Sequence, residues 1–229
     1  LADLLGAYAA ARGGAPLADN RAAPSYLDYA AWQRSELLPR RIGDELDYWK
    51  KQLAGAPLLE LPTDRARTTR RSSAGGFEWL ELSDDLIERL QVVGRAHGAT
   101  LFMVMLAAFD ALLYRLSGSA DIVVGTPVAN RTHLAAEALV GTLVNTIALR
   151  VQLDPEQSFS ALLANVRRTS LDAWGHQELP FERLVSELGM PRVPGRSPLF
   201  EVMFDFQNSP MPLEAESPSP ETPRYSNSR

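Results

Sequence analysis

ATLFMVMLAAFDALLYRLSGSADIVVGTPVANR, residues 99–131, is the stretch on which the fold of this chain turns. Thr100 has a side chain suited to capping a helix N-terminus. The residues from Leu101 to Gly118 are apolar on nearly every side, so a helix here must be covered from several directions. It reads as a central buried helix. DIVVGTPV then forms a short apolar run closed by Gly125 and Pro127, which fits a strand buried on both faces and ending in a loop that carries Asn130 and Arg131.

Upstream, Ser83 followed by Asp84 and Asp85 opens another helix, with Leu86, Ile87, Leu90 and Val93 at helical spacing as far as Gly98. Before it, Phe77 to Leu82 reads as a strand, and the arginine-rich PTDRARTTRRSSAGG as an exposed loop. Residues 26–54 read as two helical pieces, YLDYAAWQRSELL and RRIGDELDYWKKQLAG, separated at Pro39. Downstream, Ile147, Leu149, Val151 and Leu153 alternate with Ala148, Arg150 and Gln152, the pattern of a half-buried strand. Ser158 begins a long helix ending near His176. After Pro180, FERLVSELG is a shorter helix stopped by Gly189. Phe200, Val202, Phe204 and Phe206 share one face of a last strand, and the Pro- and Ser-rich residues beyond Gln207 read as a flexible linker or tail. The expected architecture is an α/β two-layer sandwich. Its mixed sheet has strands near Phe77, Ile122, Ile147 and Phe200 and is covered mainly by the helices starting at Asp84, Leu101 and Ser158.

The 229 residues carry a net charge of −5, with a pI near 5.3, so no field is present to gather nucleic acid or an anionic membrane. There is no cysteine, which removes disulfides, thiolate metal sites and Cys nucleophiles and fits a cytoplasmic location. The longest apolar stretch, Leu101 to Leu113, is interrupted by Asp110 and falls short of the roughly 20 residues that span a bilayer. A chain opening on Leu1 with no address signal reads as a piece cut from something longer. There is no G-x-G-x-x-G, Walker loop or G-x-S-x-G. His97, His133 and His176 lie apart in different segments, so no metal site is expected.

Five strings occur in order: YLDYAAWQ (26–33), VGTPVANR (124–131), VGTLVNTIALR (140–150), HQELPFERL (176–184) and RSPLFEVMFDFQ (196–207). Together they resemble the later motifs of the condensation domain of nonribosomal peptide synthetases, over nearly the whole chain to about Gln207. The resemblance is closer to amide-forming condensation domains than to epimerization or cyclization domains, and closest to the subtype that joins two L-residues. It implies one lobe of a two-lobed pseudo-dimer related to chloramphenicol acetyltransferase, with a tunnel between the lobes. Carrier proteins at the tunnel's two mouths would bring in donor and acceptor thioesters on phosphopantetheine arms, and no cofactor would be bound directly. The family's HHxxxDG motif is absent here, and none of the three histidines begins an HxxxD. Amine attack on a thioester needs a group to handle the amine's proton and donors for the developing oxyanion. The first of these is missing, so the chain reads as the C-terminal lobe, inactive alone. On this division, residues 1–25 are a lead-in from the other lobe, 26–207 the lobe itself and 208–229 a linker. The implied partners are the N-terminal lobe, carrier proteins and a neighbouring adenylation domain, with self-association through exposed apolar surface. The rival function is a noncatalytic condensation-like module that docks a carrier protein or a tailoring enzyme.

Within the lobe the resemblance implies that Gly125, Thr126, Pro127, Asn130 and Arg131 form a loop underlying the tunnel, with Asn130 and Arg131 hydrogen-bonding across the lobe boundary. The bland alternative is an ordinary strand-ending turn. Asn145, beside Thr146, either donates to a pantetheine amide or substrate carbonyl or satisfies local backbone groups. Tyr26, Tyr29, Trp32 and Gln33 make an aromatic stripe at helical spacing, next to which Asp28 is a candidate for orienting a tunnel residue. His176, Gln177, Pro180, Phe181 and Glu182 read as structural: Pro180 joins two helices, Phe181 packs inward, and Glu182 with Arg183 bridges segments.

Overall fold

The computed structural model describes residues 2–14, 25–64, 75–137, 139–190 and 196–207. The proposed tail at 208–229 and most of the arginine-rich loop lie outside the described residues. In chain order the elements are α1 (Ala2–Gly13), α2 (Tyr26–Trp32), a π-helical turn (Gln33–Leu37), α3 (Leu38–Leu53), α4 (Asp84–Ala96), α5 (Leu101–Ser117), β1 (Asp121–Val128), α6 (Leu134–Glu137), β2 (Asn145–Gln152), α7 (Phe159–Gly175) and α8 (Phe181–Glu187).

The cap residues mark the helix starts as the sequence indicates. Ser83, Thr100 and Ser158 each accept a hydrogen bond from the backbone N–H three residues on, opening α4, α5 and α7. Gly118 stops α5 in the left-handed conformation. Pro39 does not interrupt the helical path. The chain continues through the π turn, whose wider backbone turn leads directly into α3 with Pro39 in its first turn.

α5 is buried along Met103, Val104, Leu106, Ala107 and Leu113 and packs between α4 and α7, while α7 lies on β2. Ile122, Val123, Val124, Ile147, Leu149 and Val151 complete one continuous core with Leu163 and Val166. β1 and β2 pair antiparallel, with Asp121 opposite Gln152 and Val128 opposite Asn145. β1 is buried on both faces, and β2 is more buried than its alternation suggests, because Ala148 is also covered.

The mixed sheet of four strands is a correction. The third member is only the extended stretch around Met203, parallel to β1 at Gly125. The FEWLEL stretch forms no strand: Phe77 is 88% exposed and Trp79 89%. Its alternation breaks at the adjacent Trp79 and Leu80, and no described strand edge is aligned with it to accept its backbone.

One brace ties the α3 end to the sheet. The Arg150 guanidinium grips Asp121 through Nε–Oδ1 (2.8 Å) and Nη2–Oδ2 (2.6 Å), while Nη1 donates to the carbonyls of Gln52 (3.0 Å) and Ala54 (2.8 Å). That ion pair holds the Asp121 carboxyl below its ordinary range.

Asp110 is an ionisable residue within the apolar helix α5. It is 1% exposed, neither carboxylate oxygen has a hydrogen-bond partner, and burial pushes its pKa up to about 8. A carboxyl raised in the folded state binds its proton more tightly there than in the unfolded chain. Its contribution is therefore fully present below the unfolded value near 4 and is lost as pH rises through about 8. Asp110→Asn is expected to flatten the stability profile between these limits by up to about 1.4 kcal/mol per pH unit, and to be more stable than the parent at pH 8. Urea titrations from pH 4 to 8 test this, and parallel profiles for the two proteins would refute it.

Candidate functional site

The β1–β2 register builds the site. Leu153 N–H donates to Ala120 O (2.7 Å) at the end of the ladder, so odd-numbered residues of β1 turn their backbone groups away from β2. Gly125 uses that orientation: its N–H donates to Val202 O (3.0 Å) and its carbonyl accepts from Phe204 N–H (2.8 Å). A Cβ at Gly125 would lie 2.4 Å from the Phe200 ring, so only glycine allows this approach. Thr126 Oγ1 donates to Phe204 O at 2.7 Å. Pro127 faces outward from the pair, where its absent N–H breaks no ladder bond. Thr126, Pro127, Val128 and Ala129 form one wall of a cleft of about 640 Å³, whose other walls are the first turn of α5, the end of α7 and Phe206.

Asn130 has a left-handed backbone (φ 51°) and is buried, and its Oδ1 has no partner. Arg131 turns back into its own chain, donating to the carbonyls of Ala136, Glu137 (3.2 Å) and Leu139 (3.0 Å), and so fastens α6 to the end of β1. Asn145 donates to the carbonyls of Gln177 (2.8 Å) and Leu179 (2.7 Å) and accepts from Phe181 N–H (3.0 Å), pinning the α7–α8 joint to β2. Both its amide hydrogens are spent on backbone, the second of the two roles open to it in the sequence. Thr146 stands opposite Pro127.

Tyr26 donates its hydroxyl to Thr142 O (3.0 Å), with its ring against Gly141. From there an aromatic ladder runs through Tyr29 to Trp32, which meets His133 edge-on at 4.8 Å. Asp28 closes a capping box with Ser25 at the start of α2, and this accounts for its carboxylate. Gln33 and Glu182 line a small cavity with Tyr26, Asn130 and Asn145. Gln177 Nε2 donates to Trp174 O (2.8 Å), Pro180 precedes the first turn of α8, and Phe181 packs on Phe200 at 5.4 Å. Arg183 pairs with Glu187 inside α8 (2.9 Å), and among the described residues no bridge from it to another segment is found.

Sequence reasoning missed a polar cluster behind the site. Glu178, buried, accepts from Arg41 and from Thr132 Oγ1 (2.9 Å), and its Oε1 lies 3.4 Å from His133 Nε2. Glu45 Oε1 stands 3.7 Å from His176 Nδ1, and the His176 ring stacks on Tyr48 at 3.9 Å. Burial, opposed by Arg41, pushes Glu45 up to about 7; burial and Arg41 push His176 down. The signal was the four-residue spacing of Arg41, Glu45 and Trp49, which puts all three on one face of α3.

A family model described as Condensation domain matches residues 1–228. The chain belongs to the condensation domain family of nonribosomal peptide synthetases. This condensation-domain chain is 49% identical over 193 residues to a component of the linear gramicidin synthase of Brevibacillus parabrevis, a match covering 84% of the chain and 2% of that relative. Among solved structures, the X-domain from teicoplanin biosynthesis superposes with a TM-score of 0.78 at 28% identity, covering 86% of this chain and 45% of that one. That X-domain is also solved in a complex with OxyB. The condensation domain of the Monacolin K polyketide synthase MokA gives a TM-score of 0.73 at 26% identity, covering 86% and 48%. The chain thus spans under half of these solved domains. Its α/β fold is that of the condensation domains, which fits the chloramphenicol acetyltransferase-like superfamily.

Gly125→Ala is expected to cost about 1–3 kcal/mol, as overpacking at a buried site does. Adding Phe200→Leu should recover some of the loss. Chemical denaturation of the two variants reads both effects; an unperturbed Gly125→Ala protein would mean that the Phe200 contact does not constrain β1.

Proposed function

We propose that this chain is the C-terminal lobe of an amide-bond-forming condensation domain, with residues 26–207 as the lobe, 1–25 as a lead-in and 208–229 as a linker. The observation that carries this reading is the cleft on β1. Residues 126–129 of the VGTPVANR segment border an open cavity, Gly125 and Thr126 bond the strand to residues 202–204, and nothing among the described residues fills the cavity. Apolar side chains stand uncovered on the same chain, with Val140 89% and Val144 61% exposed, as on a surface made to be covered.

In the complete domain an N-terminal lobe would close the cleft into a tunnel. Carrier proteins would present a donor acyl thioester and an acceptor aminoacyl thioester on their phosphopantetheine arms, next to an adenylation domain in the same module. The neutral acceptor amine attacks the donor carbonyl, the amide N–C bond forms, the carbon–sulfur bond breaks and the thiol leaves, and the amine's proton passes to a base. This chain has no HHxxxDG to supply that base. Its role is to bind and align the arms and to keep water out. The reaction is then a cytoplasmic one, in keeping with a chain without cysteine.

A second reading is a noncatalytic module that docks a carrier protein or a tailoring enzyme, and the likeness to an X-domain solved together with OxyB favours it. The residues encoded before Leu1 separate the two: an intact HHxxxDG supports the enzyme, a degenerate one the docking module.

The chain alone is expected to form no dipeptidyl thioester from loaded donor and acceptor carrier proteins, as followed by mass spectrometry. Sedimentation at tens of micromolar is expected to show self-association, relieved when the N-terminal lobe is added in trans. Turnover by the chain alone, or a compact monomer indifferent to the added lobe, overturns the half-domain reading.

A further inference from the structure

We propose that the cleft between β1, α5 and α7 is a side-chain pocket selecting neutral, apolar acyl or aminoacyl groups carried as thioesters. This deepens the amide-forming reading and rests on it. The cleft has room for a large side chain, about 640 Å³, and among the described residues no charged one lines it. Its walls carry an aromatic set: Phe102 lies 5.6 Å from Trp174 and 6.3 Å from Phe206, centroid to centroid, and all three rings are half-buried.

Each polar side chain of the lining makes a hydrogen bond within the chain. The Thr126 hydroxyl donates to Phe204 O, the Gln177 amide donates to Trp174 O, and the Thr100 hydroxyl accepts from Met103 N–H. A carboxylate or ammonium entering here would shed water and meet no opposite charge among the described residues, whereas an apolar group gains with every square ångström it buries. A charged lining is within the reach of this fold. A second cavity of about 450 Å³, beside β2, is lined by Lys51, Arg150, Arg168 and Asp172. Among the described residues the cleft bordered by the VGTPVANR segment carries no such group, and that contrast names the substrate class.

The test uses hydrolysis-resistant pantetheine amides of phenylalanine, leucine, aspartate and lysine, titrated calorimetrically into the 229-residue chain and into the two-lobed domain. Each probe is made with its α-amine free, for an acceptor, and acetylated, for a donor. The phenylalanyl and leucyl probes are expected to bind at least tenfold more tightly than the aspartyl and lysyl probes in one of the two series. Gln177→Glu is expected to shift the preference at least tenfold towards the lysyl probe, and Trp174→Ala to weaken the phenylalanyl probe by a similar factor. Phe206→Ala is a second truncation, at a half-buried ring outside the main core, in case Trp174→Ala fails to fold. Equal binding of all four probes in both series, no binding at all, or a preference untouched by these variants overturns the proposal. Amide formation is assayed separately on the two-lobed domain. Selective binding without amide formation leaves the pocket standing and removes the chemistry; amide formation indifferent to the side chain does the reverse.

Discussion

The antiparallel register between β1 and β2 is the constraint on which the rest of the site hangs. It turns the backbone groups of Gly125 away from β2, towards the chain at 202–204, and the missing Cβ lets Phe200 close against the strand. Phe204 and Phe206 are thereby delivered onto Phe102, with Phe204 also 5.5 Å from Phe109. A slip of one residue would put Pro127 where a ladder N–H is required and would direct Gly125 at β2. The cleft would lose its aromatic wall at the same stroke.

The same register sets Asn145 opposite Val128, where its carboxamide gathers the α7–α8 joint through three backbone partners. Polarity is segregated about this point. The ionisable groups Glu45, Glu178, Arg41, His133 and His176 meet between α3, the loop after β1 and the α7–α8 joint, while the described lining of the cleft on β1 carries no charge. Burial lifts Glu45 to about 7 and, together with Arg41, lowers His176 from its ordinary value, so Glu45 changes its charge near neutrality.

Much of the fold was legible because its signals are local. Ser83, Thr100 and Ser158 cap helices by touching a backbone N–H three residues on, and the doubly apolar run of β1 needs no partner to be recognised. What was not legible depends on distant partners. FEWLEL has strand composition but no aligned edge, and Pro39 looks like a break until one sees that α3 begins next to it. The site shows the same division. Gly125 and Pro127 could be marked as special from their residue types, and Asn145 singled out as a polar residue at a strand start. That Arg131 folds back onto 136–139, and that Asn145 spends its amide on residues 177 and 179, depends on contacts across the chain that no spacing encodes.

The brace at Arg150 has a consequence for evolution and for engineering alike. One planar cation makes four directed bonds, two to a carboxylate and two to the C-terminal end of α3, from a side chain only 12% exposed. A lysine keeps the charge but has one nitrogen on a flexible stem, and it cannot address a carboxylate edge and two carbonyls in three directions at once. Burial also shelters the pair from dissolved ions, which loosen exposed pairs. The joint between α3 and the sheet is therefore tolerant of changes in ionic strength and intolerant of the most conservative-looking exchange.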